Sequence, residues 1–345
     1  MAAKSGASSA FTWLRQGLTE TVTPKGRLRP NLFALKADQW IHFDPSEASR
    51  HLRVKREIFA SEASRPKYLL QKDGSQKAQR EVLEMLLDHL PAYYPENFQV
   101  RASPSGGLEG GARGARFGPD TRVKVEAENW RAEYVLGDYE EFPLELASNL
   151  VMEDLVLMQD STLVAGSVLF SFSRFQERFG LDMEQIHHKV PQYAQDLQKP
   201  VSRVFATLTE DRPMWRSNWN ISWTDDILAG YGRYPHRNPG ISVEDRNKLF
   251  SELIQSIDEK GLSKSAWLKV EYQTLRRLTA NPDCLLFTVR TFLNSFQELA
   301  QEPLAAKALL RNLDRLERTE FSKYIGIDDA EVFSRLRDFV QECSA

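Results

Sequence analysis

Cysteine is almost missing from this sequence: Cys284 and Cys343 are its only two. Two thiols cannot staple a disulfide scaffold, complete a four-cysteine zinc site or hold a cysteine-ligated iron–sulfur cluster, so a reducing compartment is expected. Long apolar runs are missing too. None approaches the ~20 residues that span a bilayer, so no membrane partner is expected. Nor is there a surplus of one charge: 45 basic and 48 acidic side chains leave a net charge of -3. That balance gives no general attraction to nucleic acid or to an anionic surface. The glycine-dense stretch SPSGGLEGGARGARFGP at 103–119 fits neither GxGxxG nor GxxxxGK and reads as a surface loop rather than a phosphate cradle. No internal repeat and no long linker is evident.

What is present suits a globular chain with a substantial core, since hydrophobic residues make up 41% and charged ones 27% of its 345 residues. The N-terminus, rich in Ala and Ser with no acid before Glu20, is similar to an organelle transit peptide and equally to a disordered tail. A cytoplasmic location is the default expectation. Residues 1–35 are expected to be a flexible arm, because Pro24, Gly26 and Pro30 interrupt every periodic pattern.

Asp44 followed by Pro45 predicts a capped helix from Pro45 to Phe59, and Val82, Leu83, Leu86, Leu87 and Leu90 predict a second from Gln76 to Leu90, ending at Pro91. TRVKVEAENWRAEYVL alternates as a hairpin turning near Glu128 and Asn129. Phe142 to Met158 carries apolar residues at helical spacing and predicts one helix. On that helix the adjacent Glu153 and Asp154 diverge by about 100°, so at most one faces inward. Leu163 to Phe172 predicts a buried strand, followed by a short helix capped by Ser173 and closed by Gly180. Ser242 to Gly261 predicts an amphipathic helix. WLKVEYQTLRRL and CLLFTVRTFL, joined by Thr279 to Asp283, predict an antiparallel hairpin. The remainder, 301–345, is expected to be a helical extension of one compact α+β domain covering 36–300.

The stretch with the most chemistry is IHHKVPQYAQDLQKPVSRVFATLTEDRPMWRSNWNISW, from Ile186 to Trp223. A neutral imidazole is the usual nitrogen ligand of haem iron, and an arginine nearby could pair with a propionate or orient a small ligand. The plainer reading of His187 and His188 is a helix cap bonded to backbone. Arg216 and Asn218 follow in RSNW; Arg216 reads either as a propionate or oxygen-side donor or as a surface partner of Glu210 or Asp211. Alternation along KVEYQTLRRL places Lys269, Glu271, Gln273 and Leu275 on one face and Val270, Tyr272, Thr274 and Arg276 on the other. Glu271 could hold a dialkylammonium substrate, although a cross-strand ion pair with Arg290 is the favoured reading. Arg276 and Arg290 could each reach a propionate.

Several of these stretches, in this order, resemble one family. ADQWIHFD, LELASNLVMEDLVLMQ, RFGLDMEQIHHKVP, RSNWNI, WLKVEYQTLRRL and LLFTVRTF are similar to the haem-dependent oxidative N-demethylase α-subunit-like family, which includes the haem subunit of dimethylamine monooxygenase. The resemblance covers roughly 35–299. It implies a PAS-like antiparallel sheet with flanking helices around haem b. It further implies an oxidoreductase that uses dioxygen to demethylate a small secondary amine, releasing formaldehyde, with electrons from a separate flavin and iron–sulfur partner. The family motif Ile-His-x-Pro-Val-Pro matches His187 to the iron ligand; Arg216, in the matching RSNW stretch, is a candidate for catalysis and for holding the cofactor, and Glu271, on the alternating strand, a candidate for catalysis. Asn218, Arg276 and Arg290 are candidates for holding the cofactor. Lys189, Lys269, Tyr272 and Thr279 depart from the family pattern, and lysine cannot copy the planar fork of arginine. A haem-binding sensor or carrier, or a scaffold that has lost haem, is the alternative, because a fold does not fix a function. Met158, Phe170, Phe172, Phe205 and Phe287 would line the pocket of a haem protein or fill the core of a scaffold.

Overall fold

The computed structural model describes residues 10–17, 23, 25, 27–103, 116–188, 190–228, 242–316, 327 and 329–345. Its centre is a seven-stranded antiparallel sheet built from β1 (Phe33–Ala34), β2 (Leu69–Gln71), β6 (Asp154–Gln159), β7 (Thr162–Ser167), β8 (Met214–Ser222), β9 (Trp267–Arg277) and β10 (Cys284–Ser295). They lie in the order β1-β8-β9-β10-β6-β7-β2. A smaller sheet comprises β3 (Phe98–Arg101), β4 (Arg122–Ala127) and β5 (Trp130–Val135), with β4 and β5 forming the expected hairpin. The fold is therefore one α+β domain with a large antiparallel sheet and flanking helices.

The β9–β10 hairpin is the longest pairing in the sheet, running from Leu285 opposite Arg277 to Ser295 opposite Trp267. Its middle residues are buried on both faces, so each face must be covered by other elements. Helix Pro45–Ala60, capped by the Asp44 side chain on the Ser46 amide, lies on one side together with helix Gln76–Tyr93. That second helix continues through Pro91, where it was expected to end, and there it forgoes the i→i−4 bond to the Leu87 carbonyl. The glycine φ of +81° at Gly261 closes helix Val243–Lys260, which Ser242 opens by accepting from the Asp245 amide.

Several expectations are corrected by the structure. The single helix over 142–158 is in fact helix Pro143–Leu150 followed by β6. Leu155 to Met158 is a continuous apolar run, and cross-strand bonds to Leu285–Thr288 decide its conformation over helical spacing. Glu153 and Asp154 consequently leave the chain on opposite sides, and both are buried. The helix after β7 is Phe175–Arg178, and Arg174 in a left-handed conformation precedes it in place of a Ser173 cap. Within the expected flexible arm, 10–17 instead forms a helix whose Phe11 and Leu14 are buried and whose Arg15 pairs with Glu302 at 2.6 Å. Helices Pro303–Leu316 and Ala330–Cys343 place Leu309, Leu313, Leu336 and Val340 in the main core. Among the described residues no helix is long and apolar enough to cross a membrane. Most of the glycine-dense 103–119 stretch lies outside the described residues, as does Lys189.

Candidate functional site

A cavity of about 630 Å³ opens over one face of β8, β9, β10 and β6, a size within the ~300–1,000 Å³ of ordinary ligand sites. Strand register builds its floor. Arg216 stands opposite Gln273, Asn218 opposite Glu271 and Asn220 opposite Lys269, and all six line the cavity. Farther along the same face, Leu275 pairs with Phe287, and Phe287 with Val156. The floor is thus polar at one end and apolar at the other. The roof is the connection between β7 and β8: helix Met183–His187, the π-helical turn Tyr193–Leu197 and helix Gln198–Thr207, which contribute His187, Tyr193, Leu197, Val201, Val204 and Phe205. Met158, Phe172, Phe205 and Phe287 line the cavity as anticipated, whereas Phe170 belongs to a separate cluster with Phe59, Leu69 and Leu169.

His187 is positioned by its own helix. Asp182 accepts from the Gln185 amide at 2.8 Å, and Gln185 returns a bond to the Asp182 amide at 3.0 Å, closing a capping box. One turn on, His187 Nδ1 lies 2.8 Å from the Met183 carbonyl, and the ring stacks on Tyr193 with centroids 5.1 Å apart. A carbonyl can only accept, so Nδ1 carries the proton and Nε2 keeps its lone pair, the tautomer required of a metal ligand. Burial lowers the pKa of His187 to about 4; the Met183 bond opposes this, and the charges of Arg178 and Arg216 reinforce it. The imidazole is therefore neutral at physiological pH. His188 is exposed, its Nδ1 bonded to the Gln185 carbonyl at 2.6 Å, which settles which ring of the pair is the more enclosed.

On the floor, Glu271 is buried, and its partner is Lys269 on its own strand at 2.6 Å. Its other oxygen accepts from Gln273 at 3.0 Å. The favoured Glu271–Arg290 pair is overturned by alternation: Arg290 stands opposite Tyr272 and shares the far face with it, where it donates to Glu47 and to the Thr291 carbonyl. Arg276 is on that far face as well, stacked over Trp40. Neither Arg276 nor Arg290 lines the cavity. Lys269 also donates to the Ser171 carbonyl, and Ser171 is fixed in turn by Asp154, whose carboxylate accepts from the amides of Leu169, Phe170 and Ser171 at 2.8, 2.9 and 2.7 Å. Asp154 therefore holds the turn on which the Lys269–Glu271 pair rests.

Arg216 does not pair with Glu210 or Asp211; Asp211 lies 3.7 Å from Arg212. Among the described residues Arg216 has no hydrogen bond or ion pair, and its Nε is shut off from solvent without an acceptor. Burial lowers its pKa, and the Glu271 charge opposes that shift. Asn218 turns its side-chain oxygen to the Trp219 amide at 2.9 Å, leaving its NH₂ group for the cavity.

Strand alternation alone had put Lys269 and Gln273 beside Glu271, yet only Glu271 was singled out. Tyr193 carried no signal, because its approach to His187 depends on the turn made by Gln192 in a left-handed conformation.

These residues fit a haem. The apolar end and the flat aromatic walls suit a macrocycle, His187 offers one unprotonated nitrogen, and the orphaned guanidinium of Arg216 needs an anion such as a propionate. Among the described residues no group of three or more His, Cys, Asp or Glu could cage a metal ion, so an iron here would take most of its ligands from the macrocycle. The sequence model of a family described as haem-dependent oxidative N-demethylase, alpha subunit-like, matches residues 31–331. No curated protein matches the chain.

Proposed function

The chain belongs to the haem-dependent oxidative N-demethylase α-subunit-like family, and from that premise we propose that it binds haem b and demethylates a small secondary amine. The observation that carries this reading is the cavity itself. It gathers His187, Arg216, Asn218 and Glu271 from three separate elements around an apolar chamber. The five central strands support a PAS-like reading: they lie second-first-fifth-fourth-third in chain order, as β7-β6-β10-β9-β8, with helices inserted between the second and the third.

Bound haem supplies the iron at which dioxygen is activated to oxidise an N-methyl carbon. Overall, one oxygen atom leaves in formaldehyde and the other in water, with two electrons delivered by a separate flavin and iron–sulfur partner. His187 serves through Nε2, its ring held by the Met183 carbonyl and by Tyr193. Arg216 offers its unpaired guanidinium to a propionate or to the oxygen side of the chamber. Glu271 keeps lone pairs beyond those given to Lys269 and Gln273, and with them receives the ammonium of the amine. Val201, Val204 and Phe205 pack with Val156, Met158, Leu275 and Phe287 and make the apolar end of the chamber, which suits the macrocycle.

The test is to reconstitute the full chain with haem and supply dimethylamine, dioxygen and a reductant. The expected outcome is a Soret band that shifts or disappears in His187→Ala. Formaldehyde release should show a KM raised roughly 30-fold or more in Glu271→Gln, with the Soret band unchanged. A stable Soret band without formaldehyde overturns the enzyme in favour of a sensor or carrier. A colourless protein leaves only the scaffold.

A further inference from the structure

On the face of the sheet away from the cavity, Arg276 is a cation with no ion pair among the described residues. Its guanidinium carbon lies 4.4 Å from the centroid of the Trp40 ring. Trp40 meets His89 edge-on at 4.9 Å, and His89 stacks on Tyr93 at 4.4 Å. Arg276 Nε, Trp40 Nε1 and His89 Nε2 are all closed to solvent and have no hydrogen-bond partner among the described residues. Trp40 is 2% and His89 8% exposed, so these are enclosed polar groups and not surface ones; only Tyr93, at 43%, stands well out of the cluster. Nothing acidic compensates Arg276: burial alone lowers its pKa, with no carboxylate acting against it. Burial, followed by the Arg276 charge, lowers the pKa of His89 to about 4, so its ring adds no second positive charge at neutral pH.

Arg290, on the same face, shares an Nε without a partner among the described residues, but its other two nitrogens are paired. Arg290 donates to Glu47 and to the Thr291 carbonyl. A half-buried guanidinium whose Nε is closed to solvent and an enclosed indole N–H, neither with an acceptor among the described residues, cost stability, and such a cost is retained where a ligand relieves it. We propose that Arg276, Trp40 and His89 form a binding site for a small carboxylate, separate from the cavity. A carboxylate matches the planar two-pronged guanidinium, has lone pairs left for the indole N–H and brings one charge to one cation, whereas phosphate at neutral pH brings more negative charge than the cluster holds positive. The narrow exposure suits a small molecule better than the side chain of a docked protein.

The experiment uses the full chain without haem, so its result does not depend on the proposed reaction. Acetate and glutarate are titrated against phosphate and chloride at constant ionic strength, following the Trp40 indole N–H and Arg276 Nε–H resonances and the melting temperature. The expected result is a saturable shift and a raised melting temperature with the carboxylates only. In Arg276→Met both effects vanish while the ligand-free protein melts no lower than the parent, because an uncompensated cation has been replaced by an apolar chain of similar length. Arg276→Lys, which keeps the charge and loses the fork, weakens binding roughly tenfold. Absence of saturation in the parent, binding that survives in Arg276→Met, or a ligand-free Arg276→Met that melts well below the parent each overturns the proposal.

Discussion

The two faces of the central sheet bury ionisable groups to a similar degree and use them differently. On the far face, Lys55 donates to the carbonyls of Ser148, Val151 and Glu153 at 3.2, 2.9 and 2.5 Å, and Glu153 accepts the His42 amide at 2.8 Å. Helix Pro45–Ala60 closes over them, and the charges hold the junction between helix Pro143–Leu150 and β6. On the cavity face a comparable chain, Asp154 to Ser171 to Lys269 to Glu271, ends at open space. Opposite it stand Arg216, without a partner among the described residues, and the lone pair of His187 Nε2. Buried charge closed over by a packed helix fixes a fold, even where one atom such as Glu153 Oε2 has no partner among the described residues, whereas charge with spare valence beside a cavity makes a site.

The largest effect expected from breaking this contrast is in Asp154→Ala. Three buried amides lose their acceptor, which should cost on the order of 3–5 kcal/mol in urea unfolding and also weaken haem uptake, since the Ser171 turn supports Lys269. A cost under about 1 kcal/mol would mean that the turn stands without its anchor. Next comes Lys55→Met on the far face, at roughly 2–4 kcal/mol by the same measurement. Its distinguishing outcome is haem affinity equal to the parent's under conditions where both are folded; a parallel loss of haem would show that the faces are not separable.

The remaining effect is a slope, and at pH 7 it is nearly silent. Burial, reinforced by the Arg290 charge, lowers the pKa of both His42 and His51 to about 3, against an ordinary value of 6.5. The folded state therefore binds fewer protons than the unfolded chain between those values. The stabilising contribution is fully present above pH 6.5 and is lost as the pH falls toward 3. His51→Gln should flatten the stability-against-pH curve in that window by at most about 1.4 kcal/mol per pH unit. An unchanged slope would place the acid sensitivity elsewhere.

Much of the far face and of the hairpin was legible in the sequence. Asp44 and Pro45 mark their helix start, and the Asn-Pro-Asp loop joins β9 to β10. Alternation in KVEYQTLRRL correctly put Lys269, Glu271, Gln273 and Leu275 on one side. The same alternation should have separated Glu271 from Arg290, but that required the register between two strands, which turn length alone leaves open. Asp154 was placed on a helix because apolar spacing at 142–158 fits a helix and a strand alike until a neighbouring strand claims its amides. Arg216 was weighed against a local acid, and only the sheet shows that its side chain turns to the cavity instead.

The family and the candidate His187 were set by the order and spacing of the sequence motifs, and the α+β class and the alternating face of β9 by caps, turns and two-residue periodicity, which act over short range. Which groups share a cavity, which cations find partners and which nitrogen of His187 is left open were decided only by tertiary structure. Those outcomes depend on contacts between residues far apart in the chain, and the energy of a buried charge is set by whatever the rest of the fold brings beside it.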